Sequence, residues 1–466
     1  MSVPASSKAA NGREKDRMET LASPRFSNQD LKKLIIPLVI EQLLAITVGL
    51  ADSMMVATVG EAAVSAVSLV DSVNVLLQNA FAALATGGAV VAGQYLGRRE
   101  TDKACRSAQQ LLLFMGECAV GVTALLYGLK HFILHVVFGS IAPDVAGYAN
   151  TYFMIVEAST VFLAVYSVGA ALFRVMGNSK VSMKVSLIMN AINVVGNATL
   201  VFGFHMGVAG VAIPTLVSKA VAAVLMVALL YRKDFLLHLT RPFSFRHEKL
   251  MIRNILKIGV PNGVEGSMFQ LGKILLLSVV AAFGTASVAA NAVGNTLCSF
   301  QILAPQSIGL GMVTVVSQCV GAGDFEQARA YTKKLMRWGY AAMALSVGLL
   351  FLAMPFLLRV YGLSHEATYF ARIIILTHGG FGMIIWPAAF QLPQALRAAG
   401  DTRFTMIVSS ASMWTFRVIL GVIFARICGF GVLSIWYSMY IDWVVRVFFF
   451  VRRYRGHQWE LKALKE

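Results

Sequence analysis

Residues 31–60 read LKKLIIPLVIEQLLAITVGLADSMMVATVG, and residues 255–284 read ILKIGVPNGVEGSMFQLGKILLLSVVAAFG. Displaced by 224 positions, they bring Pro37 onto Pro261, Glu41 onto Glu265 and Gly60 onto Gly284. Each is an apolar run long enough to cross about 30 Å of hydrocarbon as a helix. The register continues without a gap over about seventy residues, matching Ala66 with Ala290, Gly87 with Gly311, Gln94 with Gln318, Gly97 with Gly321 and Ala104 with Ala328. With the displacement reduced to 223, Arg174 meets Arg397, Gly177 meets Gly400, Met183 meets Met406, Val185 meets Val408 and Ser186 meets Ser409. The chain is therefore a duplication.

Apolar runs between charged or glycine-rich breaks mark twelve spans, near 33–57, 62–95, 107–133, 146–173, 182–204, 208–231, 254–282, 286–318, 335–360, 367–396, 404–426 and 431–452. The expectation is an all-α integral membrane protein of twelve transmembrane helices in two pseudo-symmetric six-helix lobes. The expected parts are a tail at 1–32, an N-terminal lobe at 33–231, an inter-lobe loop at 232–253, a C-terminal lobe at 254–453 and a tail at 454–466. Six helices per half is an even number, so both halves enter the membrane in the same sense and a cleft separates two lobes hinged at the 232–253 loop.

Hydrophobic residues make up 57% of the 466 and charged residues only 14%, which leaves no sizeable water-soluble domain. The net charge of +17 raises the question of nucleic acid. Assigning alternate loops to opposite faces puts 33 of the 40 Lys and Arg residues on one face and only Lys130, Arg359, Arg372 and Arg426 on the other, with Lys219, Lys273 and Arg417 inside helices. The positive-inside rule places that basic face, with both termini, in the cytoplasm of the plasma membrane, and no nucleic-acid partner is needed. Membrane lipid is the expected surrounding, and a monomer the expected state. The leader has no apolar core ahead of a small-residue cleavage site, so no cleaved signal peptide is expected. The five cysteines are scattered and lack CxxC spacing, so neither a disulfide framework nor a zinc site is indicated.

Charges at membrane depth cost about 2.5–3.5 kcal/mol on insertion scales, so each calls for a partner or a function. Glu41 and Asp52 lie eleven residues apart in the first span, on nearly the same helix face but about 16 Å apart along it. Glu265 repeats Glu41, and Lys273, eight residues on, is positioned to neutralise it. Asp71, Glu117, Glu157, Arg417 and Asp442 stand alone in their spans, Glu157 the most deeply buried of them. Asn190, Asn193 and Asn197 form a polar stripe at helical spacing in the fifth span. Their amide oxygens, with a carboxylate, suit sodium or a protonatable acid; interhelical hydrogen bonding explains the stripe equally well. His247-Glu248 and His365-Glu366 lack the second histidine of a zinc-protease motif, and Gly266 to Lys273 departs from a phosphate loop in spacing and in its final residue. No enzyme, ATP engine or cofactor is expected, so an ion gradient must supply the work.

The chain resembles the multidrug and toxic compound extrusion (MATE) family from Leu34 to Arg455. The resemblance rests on Asp52 eight residues before Gly60, on Gln94-Tyr-Leu-Gly97 with Gln318-Cys-Val-Gly321, and on Arg174-Val-Met-Gly-Asn-Ser-Lys180 with Arg397-Ala-Ala-Gly-Asp-Thr-Arg403. It implies a V-shaped pair of lobes exporting organic cations or other amphipathic compounds in exchange for Na+ or H+. It also implies that Asp52 works with Asn193, Asn197 and Thr215, with Na+ or H+ as the coupling ion. Many members carry an acid where Asn197 stands. Some carry a seventh-span acid where this chain has Phe269, and a tenth-span acid where it offers His378. The expected cation site is thus Asp52, Asn193, Asn197, Thr215 and Glu41, with Glu265, Lys273, Glu157 and His378 as secondary candidates. The main rival is a flippase for lipid-linked precursors, which needs a cationic cavity built from Lys219, Lys273 and Arg417; a membrane-embedded enzyme or receptor is the remoter one.

Overall fold

The computed structural model describes residues 24–137, 142–240 and 243–464. Most of the tail expected at 1–32 falls outside the described residues, as do positions 241–242 and 465–466. Among the described residues eleven helices are each long and apolar enough to cross a bilayer. In the first half these are α1 (Asn28–Ala57), α2 (Glu61–Gly97), α3 (Thr101–Gly128), α5 (Ser179–Gly203) and α6 (Ala209–Leu230). Between them α4 is a broken span, Pro143–Ala158 and Thr160–Val175, bent by 42°. The second half supplies α7 (Lys249–Ala281), α8 (Thr285–Gly321), α9 (Phe325–Val360), α10 (His365–Ala398), α11 (Thr402–Arg426) and α12 (Leu433–Arg455). No strand occurs among the described residues.

Local chemistry sets the helix ends. Ser27 accepts from the Asp30 amide while the Asp30 carboxylate accepts from the Ser27 amide, a capping box that starts α1. The turns after α1 and α7 need the left-handed backbone of Gly60 (φ 134°) and Gly284 (φ 89°), the same residue in each repeat. At 37 residues, α2 and α8 are each about 55 Å long, well beyond the hydrocarbon thickness, so both project past the membrane.

One large apolar core draws on both lobes near the basic face, including Leu34, Val91, Leu111, Val316, Leu335 and Leu396. The other two cores each stay within one lobe: Val67, Phe153 and Val211 in the first, Leu297, Ile375 and Trp436 in the second. The lobes are therefore joined at the basic face and part towards the opposite one, leaving a cleft open on that side. Repeat-related bonds make the joint. Gln94 Nε2 donates to the Ala398 carbonyl at 2.9 Å, and Gln318 Nε2 donates to the Val175 carbonyl at 2.7 Å. There α2 crosses α8 with Gly97 against the Gln318 carbonyl and Gly321 against the Gln94 carbonyl, an approach no Cβ permits.

The segments flanking the bundle reinforce this joint. The Arg25 amide donates to Gln327 Oε1 at 3.1 Å and the Phe26 amide to Tyr331 Oη at 2.8 Å, so the start of one lobe grips the other. In return the C-terminal tail buries Trp459, pairs Glu460 with Arg329 at 2.5 Å and donates from the Leu464 amide to Gln94 Oε1 at 2.9 Å. The inter-lobe connection expected as the hinge is tied to α3, where Gln109 and Gln110 donate to the Ser244 and Arg246 carbonyls at 3.1 and 2.7 Å.

Candidate functional site

Asp52 lies near the cleft end of α1, and α5 packs alongside it with Asn193 and Asn197 one turn apart on the facing side. Gly196 lets α6 close on α5: a Cβ there would fall 2.7 Å from Pro214 Cβ, so only glycine allows the approach that sets Thr215 beside Asn193. Asn197 Nδ2 donates to Asp52 Oδ1 at 2.7 Å. The Asn193 amide, turned so that both its oxygen and its nitrogen are satisfied, donates to Asp52 Oδ1 and Oδ2 at 2.8 and 3.2 Å and accepts from Thr215 Oγ1 at 3.1 Å. Asn193 and Asn197 are 6% and 0% exposed, and Asn197 Oδ1 is buried without a partner. A carboxylate held by amide N–H groups from two asparagines, with an orphaned amide oxygen beside it, is an arrangement that one added cation completes. Turning the amides offers that cation up to five oxygens, two from Asp52 and one each from Asn193, Asn197 and Thr215.

A second group of charges lies deeper in the same lobe. Asp71 on α2 accepts from Tyr152 Oη at 3.2 Å and from Asn74 Nδ2 at 3.3 Å. At the bend of α4 the Lys219 ammonium donates to Ser159 Oγ at 3.1 Å, within electrostatic reach of Asp71, Glu157 and Asp52. Glu157 is 0% exposed; one oxygen accepts from Thr160 and the other has no partner. The lobe interior thus carries three carboxylates and one ammonium. Tyr152 was not singled out in the sequence, Asp71 was read as standing alone, and Lys219 was assigned only to the flippase's cationic cavity. Their signal was that spans one, two, four and six each bear a charge at membrane depth and belong to a single six-helix bundle, whose interior is where lipid forces such charges.

Glu41 is not part of the Asp52 cluster. It accepts from Ser182 Oγ at 2.9 Å and Tyr166 Oη at 3.5 Å, with Arg174 at 3.9 Å. Its repeat partner Glu265 pairs with Arg397 at 2.5 Å, not with Lys273 as expected. The helix step from 265 to 273 spans about 12 Å, whereas the end of α10 brings its guanidinium directly to Glu265. The ion pairs Glu41 with Arg174 and Glu265 with Arg397 are one feature seen twice, binding the start of each lobe to its fourth span. Asp442, read as a lone acid, bonds to Arg446 at 2.8 Å inside α12, the two one turn apart and 0% and 3% exposed at their side chains. Glu117 meets His247 at 3.3 Å. His378 is buried, hydrogen-bonded to Gln301 and edge-on to Trp436 and Trp443, and among the described residues it forms no ion pair.

Comparison with known proteins meets this geometry from another side. The MatE family model matches twice, over residues 37–199 and 261–423, reproducing the 224-residue displacement. An uncharacterized transporter, YisQ of Bacillus subtilis, is 25% identical over 456 residues, covering 95% of this chain and 98% of its own. A probable multidrug resistance protein NorM of Thermotoga maritima is 22% identical over 94% of both chains. A crystal structure of MATE in complex with MaL6 superposes with a TM-score of 0.85 at 18% identity, over 91% of this chain and 95% of that one. With a twice-repeated family match across most of its length, full-length transporter relatives and the two-lobed twelve-helix fold, this chain belongs to the MatE family of multidrug efflux transporters.

Proposed function

We propose that this chain is a secondary antiporter of the plasma membrane, its basic face and both termini in the cytoplasm, exporting amphipathic organic compounds as Na+ or H+ enters. The observation that carries the reading is the Asp52 carboxylate, set at membrane depth between Asn193 and Asn197 with an unpartnered amide oxygen beside it. With the lobes closed at the basic face, the cleft and the Asp52 cluster open outward, the state in which an exporter releases cargo and loads its coupling ion. A cation at Asp52 replaces the amide hydrogen bonds that join α1 to α5. Neutralising the carboxylate changes how these helices pack, and this difference between states is what coupling requires. The chain acts as a monomer in this scheme, since each lobe interior is complete within one copy. Family membership and relatives named as multidrug transporters do not favour the lipid-linked-precursor flippase.

Proteoliposomes preloaded with a fluorescent amphipathic dye test this directly. An imposed inward Na+ or H+ gradient drives dye movement in the parent, and one of the two gradients suffices alone. Asp52→Asn keeps the volume and one of the two acceptor oxygens but cannot titrate, so gradient-driven movement falls at least tenfold while the protein still elutes as one folded species. Undiminished transport in Asp52→Asn would remove the assigned role.

A further inference from the structure

The two lobes have diverged into electrostatic opposites. Where the first has Asp52, Asn193 and Asn197, the repeat places Leu276, Phe416 and Leu420; where the first has Gly49 and Val194, the second has Lys273 and Arg417. A cavity of about 540 Å³ opens into the cleft, walled chiefly by the second lobe with Gln42, Ile46 and Asn79 of the first at its edge, and no Asp or Glu lines it. Lys273 and Arg417 do, and they hold their charged heads 5.3 Å from the centre of the same Phe269 ring. Among the described residues neither forms an ion pair, and Arg417 Nε is buried without a hydrogen-bond acceptor. Arg446 approaches Phe269 at 5.9 Å, but Asp442 neutralises it. Arg397 also lines the cavity and is neutralised by Glu265. Two cations therefore remain outside any ion pair among the described residues, one exposed to the cleft and one with an orphaned donor.

A guanidinium with a buried, unused N–H is built to meet an oxyanion, which it grips through paired hydrogen bonds. Around it Trp386, Phe390 and Trp443 supply apolar ring surface, and Gln270, Asn295 and Gln394 supply neutral hydrogen-bonding groups. The volume lies in the range of small-molecule sites. We infer that the cavity between Lys273, Arg417 and the aromatic wall is a binding site for aromatic organic anions, compounds that pair a flat ring system with a carboxylate, sulfonate or phosphate. The inference rests on the antiporter reading for its role in transport, but the site itself stands in the other lobe. The first lobe takes the coupling cation and the second takes the anionic cargo, so a proton or sodium ion entering and an anion leaving never compete for one group.

Equilibrium binding by calorimetry in phosphatidylcholine nanodiscs, without any gradient, tests the site. The probes are naphthalene-2-sulfonate and the matched cation 2-naphthyltrimethylammonium. The sulfonate binds saturably and the cation at least about tenfold more weakly. Lys273→Gln with Arg417→Gln lowers sulfonate affinity at least about tenfold and removes the preference, whereas Lys273→Arg with Arg417→Lys, which keeps both charges, retains it within about threefold. Gradient-driven movement in proteoliposomes is read separately, so a failure of the coupling scheme leaves this equilibrium binding result standing. Replacing a third of the lipid by phosphatidylglycerol leaves the affinity unchanged if the cargo is a free anion. Loss of binding there would assign the site to a lipid headgroup and overturn the inference, as would tighter binding of the cation, or sulfonate affinity unaffected by the charge-removing pair while the charge-keeping pair folds normally.

Discussion

Adding a single methyl group at Gly321 should open the face at which the lobes are joined. A Cβ at Gly321 would lie 2.5 Å from Gln94 Cα and 2.6 Å from its carbonyl carbon, against an ordinary contact of 3.4–4 Å. These are backbone atoms, so no side chain can swing away and α2 and α8 must separate by about 1 Å. Separation also stretches the bonds from Gln94 to the Ala398 carbonyl and from Gln318 to the Val175 carbonyl. Overpacking at about 1–3 kcal/mol, with about 1 kcal/mol for the weakened hydrogen bonds, destabilises only the conformation in which these helices touch. A bias of roughly 2–4 kcal/mol shifts the balance between the two faces by between one and three powers of ten. Cys319, two residues away and 0% exposed in the shared core, is a native reporter. With Cys105, Cys118, Cys298 and Cys428 replaced by serine, a membrane-impermeant maleimide applied from the basic face should label Cys319 at least about tenfold faster in Gly321→Ala. Gly97→Ala should act in the same direction, because its Cβ would fall 2.9 Å from Ala322 N and from the Gln318 carbonyl carbon. Equal labelling rates in parent and Gly321→Ala would refute the reasoning that this crossing is the closed gate.

The duplicated ion pairs should differ in strength. Glu265→Gln strands the Arg397 guanidinium, whose side chain is 15% exposed, and should cost roughly 3–5 kcal/mol in thermal unfolding, with Glu265→Gln combined with Arg397→Gln recovering most of it. Glu41→Gln should cost less, about 1 kcal/mol, because Arg174 stands 3.9 Å off and the Ser182 and Tyr166 hydroxyls can bond an amide. The tail carries a pH dependence: burial pushes the Glu460 carboxyl up, but Arg329 and His457 outweigh it and hold it below its ordinary 4.5. A lowered carboxylate stabilises the docked tail above its unfolded pKa and loses that contribution as pH falls through the folded value. Acrylamide quenching of Trp459, taken as the difference from Trp459→Phe, should be flat from neutrality to pH 5 and rise below about pH 4.5.

Much of the candidate site was legible because it is local. The 3,4 spacing of Asn190, Asn193 and Asn197 puts them on one face of one helix whatever surrounds it, and a carboxylate one or two turns from the end of the first span is visible as a costly charge. Asn190 shows the limit of that reading, since it shares the stripe but not the cluster, and its Nδ2 remains buried without a partner. The expected pairing of Glu265 with Lys273 failed for the complementary reason. Both lie on one helix and so seemed bound to each other, whereas the partner that matters arrives from 132 residues away.

By itself the sequence determined the membrane setting, the number of spans, the duplication and the distribution of basic residues, because hydrocarbon thickness and helix period act on each segment separately. Only the tertiary structure decided which charges meet. Glu41 turned to Arg174, Asp442 to Arg446, and Lys273 and Arg417 to the same Phe269 ring, because side-chain partners across a bundle depend on how helices cross and rotate. The repeat preserved backbone geometry at Gly60 and Gly284 while letting the interior residues diverge, so halves related by duplication became an acidic lobe and a basic one.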